Sequence, residues 1–205
     1  MQPAIQYAWH SGHTIRGHIL RDHTLRGYTL LELLTILAII AILASSAMPD
    51  LGKFVQAHAG QVFIHELART LSMARTTAVT SGSIVTLCRS RDGLACNGTW
   101  DDGMLLFTDH NSDRIPNGND LLLQHSRGIE GSLRLRSFPN RQYVQFTPLG
   151  FTNKQNGSFT WCPPGQAAEL AQQLIFSQSG RTRLARDANG DGLREGTNGG
   201  PLTCN

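Results

Sequence analysis

Apolar and polar positions divide this chain into three textures. From Leu30 to Met48, 19 residues carry one charge, Glu32. At 1.5 Å per residue, a helix from Tyr28 to Met48 spans about 31 Å, enough for a hydrocarbon core of roughly 30 Å. A carboxylate inside such a helix costs about 2.5–3.5 kcal/mol, so Glu32 needs a reason to be there. Pro49 then interrupts the pattern and predicts a kink. Beyond it, Phe63, Leu67, Leu71, Ala74 and Ala78 mark one face at helical spacing, with Glu66, Arg69 and Arg75 elsewhere. Ser81-Gly82 supplies the stop. The pattern predicts one helix over residues 28–81, membrane-spanning to about residue 48.

After Gly82 the period changes. Runs rich in β-branched and aromatic residues alternate with turns: Ile84 to Cys88, Met104 to Thr108, Leu121 to Gln124, Leu133 to Phe138, Tyr143 to Thr147, Ser158 to Trp161 and Leu174 to Ser177. Their spacing predicts an antiparallel sheet domain over residues 82–205. Leu133 and Leu135 alternate with Arg134 and Arg136, a half-buried strand with a charged outer face. The stretch from Asn189 to Gly200 is rich in glycine and polar residues and reads as a loop. The fold class is therefore α+β, a long N-terminal helix packed on an antiparallel β domain.

Charge changes the picture little. The formal net charge is +3 over 205 residues. Arg16, Arg21 and Arg26 less Asp22 give +2 to residues 1–27, which leaves +1 for residues 28–205. Any nucleic-acid site is therefore a local patch rather than a global basic field. The three arginines precede the apolar run, which keeps residues 1–27 on the cytoplasmic side and sends the β domain across the membrane. His10, His13, His18 and His23 fall in the same segment and carry no chemistry in this reading. All four cysteines, Cys88, Cys96, Cys162 and Cys204, lie beyond the apolar run, in an oxidising compartment where disulfides form. Four cysteines allow three pairings. Cys88–Cys96, closing a short loop, and Cys162–Cys204, tying the C-terminus to the domain, are the favoured set. Zinc is disfavoured because no CxxC pair exists.

Arg26-Gly27-Tyr28-Thr29-Leu30-Leu31-Glu32 at the mouth of the apolar run resembles the class III prepilin signal of type IV pilins and pseudopilins. That resemblance implies cleavage after Gly27 by a prepilin peptidase, N-methylation of Tyr28, and a filament-assembly role for Glu32, which pairs with the free amine of a neighbouring subunit. The family more often has phenylalanine at the position of Tyr28. Residues 1–27 are then a cleaved cytoplasmic leader. The short β-runs and the C-terminal segment resemble the GspH/FimT group, over Gly27 to the C-terminus. Ser179-Gly180-Arg181-Thr182-Arg183 resembles the GRxR element of the FimT minor pilins, which contributes to DNA capture in natural transformation.

The residues support that chemistry. If Gly180 to Ala185 is extended, Arg181 and Arg183 project to one face and Leu184 to the other. Two guanidiniums about 7 Å apart engage neighbouring phosphates without reading sequence. Arg186 and Arg194 lie close enough in sequence to widen the patch, while Asp187 and Asp191 offset it. The bland reading is a solvated strand edge with protective charges. The candidate DNA-binding set is Gly180, Arg181, Arg183 and Arg186.

Asp187-Ala-Asn189-Gly-Asp191-Gly192 and Asp109-His-Asn111-Ser-Asp113 both begin like calcium loops. The first has Asn198 at its twelfth position and the second has Arg114 at its sixth, so both read better as Asx-rich turns. No metal or cofactor is expected. Asp101-Asp102 reads as a turn before Gly103. His58, His65, His110 and His125 have no nucleophile motif to activate, so the chain reads as a non-enzyme. The sequence thus implies a minor type IV pilin, single-pass in the inner membrane with a periplasmic domain, whose role in the pilus is non-specific DNA binding for natural transformation, pilus biogenesis, or both. Its expected partners are other pilins or pseudopilins, a prepilin peptidase, the membrane and DNA. The alternative is a type II secretion minor pseudopilin acting in protein export. A membrane-anchored domain outside any filament would have no use for Glu32.

Overall fold

The computed structural model describes residues 28–204, without the side chains of residues 46–50. The leader, Gly27 included, lies outside the described residues. Helix α1 runs from Leu30 to Ser81, 52 residues. It runs on without a break through Pro49, where the sequence predicts a kink. Among the described residues no helix is long and apolar enough to cross a membrane. The described side chains of the apolar run end at Ser45, so the expected span to Met48 falls partly outside them. The chain divides into two units between Ala44 and Ser45. In the first, the leucines and isoleucines of α1 from Leu30 to Leu43 are exposed.

In the second unit, α1 buries Ile64, Leu67, Leu71, Ala74 and Ala78 completely or nearly so. The expected face is thus shifted at its start. Ile64 takes the central position, and Phe63 packs at the rim. The spacing 64, 67, 71, 74, 78 follows the 3–4 alternation of a helical stripe, which Phe63 does not. One turn earlier, Gly60 leaves room for a ring. A Cβ there would lie 2.2 Å from Cζ3 of Trp161. The indole therefore lies directly on the helix backbone, and its Nε1 donates to the Glu130 carbonyl at 3.1 Å.

Eight strands follow: β1 Val85–Arg89, β2 Gly103–Thr108, β3 Leu122–Arg127, β4 Ser132–Phe138, β5 Tyr143–Phe146, β6 Asn156–Cys162, β7 Gln172–Phe176 and β8 Thr182–Leu184. They form two antiparallel sheets, ordered β3-β2-β1-β5 and β4-β6-β7-β8. All seven expected runs become strands, with ends moved by a few residues. Leu121 is the clearest correction: it precedes β3, which runs on to Arg127. β8 is the addition.

Both sheets turn one face to the helix stripe. Val85, Leu87, Leu106, Val144 and Phe146 come from the first sheet. Leu133, Leu135, Phe159, Trp161, Leu174 and Phe176 come from the second. Trp100 closes the core edge-on against Phe159, with centroids 5.0 Å apart, a geometry worth about 0.5–1.5 kcal/mol beyond burial. Each sheet also carries a small cluster, pinned by a disulfide. Cys88–Cys96 sits with Leu105 and Phe107. Cys162–Cys204 sits with Ala171, Ala185 and Leu202. The two favoured pairings are the ones present. Asp101-Asp102 forms the expected turn: the Asp102 amide donates to the Thr99 carbonyl at 3.2 Å.

Candidate functional site

The GRxR element is the turn and return strand of the β7–β8 hairpin. The Gly180 amide donates to the Ser177 carbonyl at 2.9 Å, and the Ser177 amide to the Arg181 carbonyl at 3.0 Å. Gly180 has φ +75°, and a Cβ on it would lie 2.3 Å from the Gly150 carbonyl oxygen. Only glycine fits here. Backbone geometry alone therefore requires glycine at this point of the element.

Pairing fixes where the arginines point. Leu174 opposes Leu184, Ile175 opposes Arg183, and Phe176 opposes Thr182. Leu184 packs against the core with Leu174. Arg183 therefore lies on the opposite, outward face, with Arg181 two residues before it. Both are exposed, as is Arg186. Among the described residues none of the three guanidiniums takes a hydrogen bond or ion pair. Arg194 differs. Its Nη1 donates to the Ala171 carbonyl at 3.2 Å, which fastens the tail to the start of β7. It does not widen the patch.

The loop after Arg186 is built from Asx turns. Asp187 accepts from the Gly190 amide at 2.6 Å and the Gly192 amide at 2.9 Å. The Gly190 amide bond, then that of Gly192, holds its carboxyl below the ordinary range. Asp191 accepts from the Leu193 amide, and Glu195 from the Ala188 amide. The fold brings oxygens of Asp187, Asp191 and Glu195 within 4.8 Å of one another. Glu195 stands at the ninth position of this loop, counted from Asp187, and is the carboxylate that the calcium-loop pattern at its start does not announce. In the other loop, Asp109 is fully buried and turned into the sheet. It accepts from Thr86 Oγ1 at 2.7 Å and Gln145 Nε2 at 3.0 Å.

At the N-terminal end, Thr29 caps α1. The Glu32 amide donates to Thr29 Oγ1 at 3.2 Å, and the Leu33 amide to the Thr29 carbonyl at 3.1 Å. Thr29-x-x-Glu32 is a capping-box pattern, a local sequence signal for the start of this helix. Glu32 sits in the first turn, where the helix dipole favours a carboxylate.

The sequence model of the family described as type II transport protein GspH matches residues 64–197. The chain belongs to the GspH family. Among solved structures, it aligns with the Pseudomonas aeruginosa type IV minor pilin FimU in two crystal forms. One shares 21% identity over 65% of this chain and 92% of FimU, with TM-score 0.50. The other shares 22% over 62% and 92%, with TM-score 0.47. At such identity the likeness speaks to the fold, which is the type IV pilin-like α+β fold. No curated protein matches significantly. Family membership makes this a structural, non-enzymatic component of the pilin and pseudopilin class, associated with the envelope or a pilus.

Proposed function

We propose that the protein is a minor type IV pilin that binds DNA without sequence preference through Arg181 and Arg183. It is anchored by residues 28–48 in the inner membrane, with its β domain in the periplasm, until a prepilin peptidase cuts after Gly27 and it joins a pilus with other pilins. The carrying observation is the pair of exposed guanidiniums of Arg181, directly before β8, and Arg183, on its outward face, neither with a partner among the described residues. Phosphate contacts of this type supply affinity independent of base sequence.

The test is DNA binding by the full-length chain in detergent across a salt series. Two to four phosphates give a slope of roughly −2 to −4 in log affinity against log salt. Arg181→Gln with Arg183→Gln flattens it by about one to two units on random and defined duplexes alike. No binding at low salt overturns the reading.

The second reading is a type II secretion minor pseudopilin. It is favoured by the description of the matched family and by the carboxylates that follow Arg186 and offset its charge. Loss of protein export, with pili and transformation intact, in a strain lacking the protein selects it.

A further inference from the structure

Resting on the DNA reading above, we propose that Arg134 and Arg136 form a second phosphate-binding position on the sheet face that carries Arg183, and that one duplex engages both arginine pairs. The register of the second sheet brings them there. Arg136 opposes Ser158, Ser158 opposes Ile175, and Ile175 opposes Arg183, in one row across β4, β6, β7 and β8. The next row holds Arg134, Thr160 and Gln173. Residues in a row share a face, and the alternate residues Leu133, Leu135, Phe159 and Leu174 are in the core. All these row members therefore lie on the face away from the core, where Arg134, Arg136 and Arg183 are exposed while Ser158, Gln173 and Ile175 between them are buried.

The β4 arginines have the same unmet chemistry as Arg181 and Arg183. Both are exposed, and among the described residues neither guanidinium has a hydrogen bond or ion pair. Beside them is a cavity of about 260 Å³, bounded by Arg134, Arg136, Ser158, Thr160 and tail residues including Asn198. Its hydroxyls and amides add neutral donors to the two cations, the mixture that holds phosphate oxygens. Residues 196–204, which wall the cavity on its other side, carry no charge. The carboxylates after Arg186 disfavour a DNA track in that direction.

The spacing suits a duplex. The row from Arg136 to Arg183 crosses three inter-strand gaps, about 14 Å at roughly 4.8 Å each. That is the scale of a major groove, about 12 Å wide. The two pairs thus sit where phosphate rows on either side of one groove pass.

The experiment measures salt slopes for the full-length chain on a random duplex of about 20 base pairs. Three double variants are compared: R134Q/R136Q, R181Q/R183Q and a control, R69Q/R127Q, which removes equal charge from exposed positions on α1 and β3. The expected result is a slope flattened by about one to two units in each of the first two, their sum in the quadruple variant, and no change in the control. R134K/R136K restores the slope, and thermal melting confirms that every variant is folded. Parental slope in R134Q/R136Q overturns this inference and leaves the β8 reading intact. Equal flattening in the control also overturns it, by making the effect general charge. A parental chain that does not bind duplex overturns both. Flattening in R134Q/R136Q without any in R181Q/R183Q overturns the β8 reading and the shared engagement.

Discussion

Arg75 on α1 donates a hydrogen bond from Nη1 to the carbonyl oxygen of Gly180, 3.3 Å away. The helix thus holds the turn that presents Arg181. The same arginine lies 3.2 Å, through Nε, from where a Cβ on Gly150 would stand. Arg75, Gly150 and Gly180 form one close-packed junction between helix, loop and hairpin. Gly180→Ala places a side chain at a positive φ and against the Gly150 carbonyl. Left-handed backbone strain alone costs about 1–3 kcal/mol, so the variant should melt several degrees lower. An unchanged melting temperature rules out the junction as a constraint. Arg181→Gln, at an exposed position, should leave the melt unchanged.

The two disulfides should differ in worth. Cys162 and Cys204 are separated by 42 positions, Cys88 and Cys96 by 8. Chain entropy alone gives about 4 kcal/mol for the longer loop and about 2.5 kcal/mol for the shorter. The longer bridge also holds Leu202 against Ala185 and Ala171. Replacing the Cys162–Cys204 pair with alanine should therefore lower the denaturant midpoint more than replacing the Cys88–Cys96 pair. The reverse order would mean that the tail contributes little to the folded domain.

The residues legible from sequence were those governed by local period. Leu133 and Leu135 alternate with arginines, and β4 forms where that alternation stands. The stripe from Leu67 to Ala78 was likewise readable. Phe63 fits the helical spacing as a member of that face, yet Ile64 holds the buried position, and the close approach of Trp161 to Gly60 one turn earlier comes from across the domain. Arg194 could not be read correctly, since its acceptor, the Ala171 carbonyl, is brought near only by folding. The packing requirement for glycine at position 180 comes from Gly150, distant in sequence and so not legible from the local motif. Arg134 and Arg136 were seen as an outer face. Only the strand order β4-β6-β7-β8 puts that face in line with Arg183.

Acid should destabilise the β domain through identifiable caps. Asp92 accepts from the Leu94 and Ala95 amides at 2.8 and 3.2 Å and from Asn97 Nδ2 at 2.8 Å. The Leu94 amide bond, then Asn97, holds its pKa down at about 2 from an ordinary value of 3.8. A folded pKa below the unfolded one gives stability that is present above the unfolded value. It is lost as pH falls from about 4 towards about 2. Asp92→Ala should therefore melt below the parent at pH 6, and the gap should close as pH falls through that window. A gap that stays constant down to pH 2 would mean that the Asp92 carboxylate is not the source.

Glu32 has two physical reasons to be where it is, and one substitution separates them. It stands third after Thr29 in a capping box at the start of α1, and its charge suits the helix N-terminus. In the filament reading, its carboxylate instead neutralises the free amine of a neighbouring subunit's Tyr28. Glu32→Gln keeps the capping-box residue type and removes the charge. Glu32→Ala removes both. If charge pairing governs, both variants should be cleaved after Gly27, giving chains that begin at methylated Tyr28 by mass spectrometry. Both should then fail to enter filaments. If the cap governs, Glu32→Gln should assemble as the parent does and only Glu32→Ala should be impaired. Thr29→Ala completes the comparison. It removes a cap worth about 1 kcal/mol without touching the carboxylate, so normal assembly of Thr29→Ala beside failed assembly of Glu32→Gln assigns Glu32 to the charge pair.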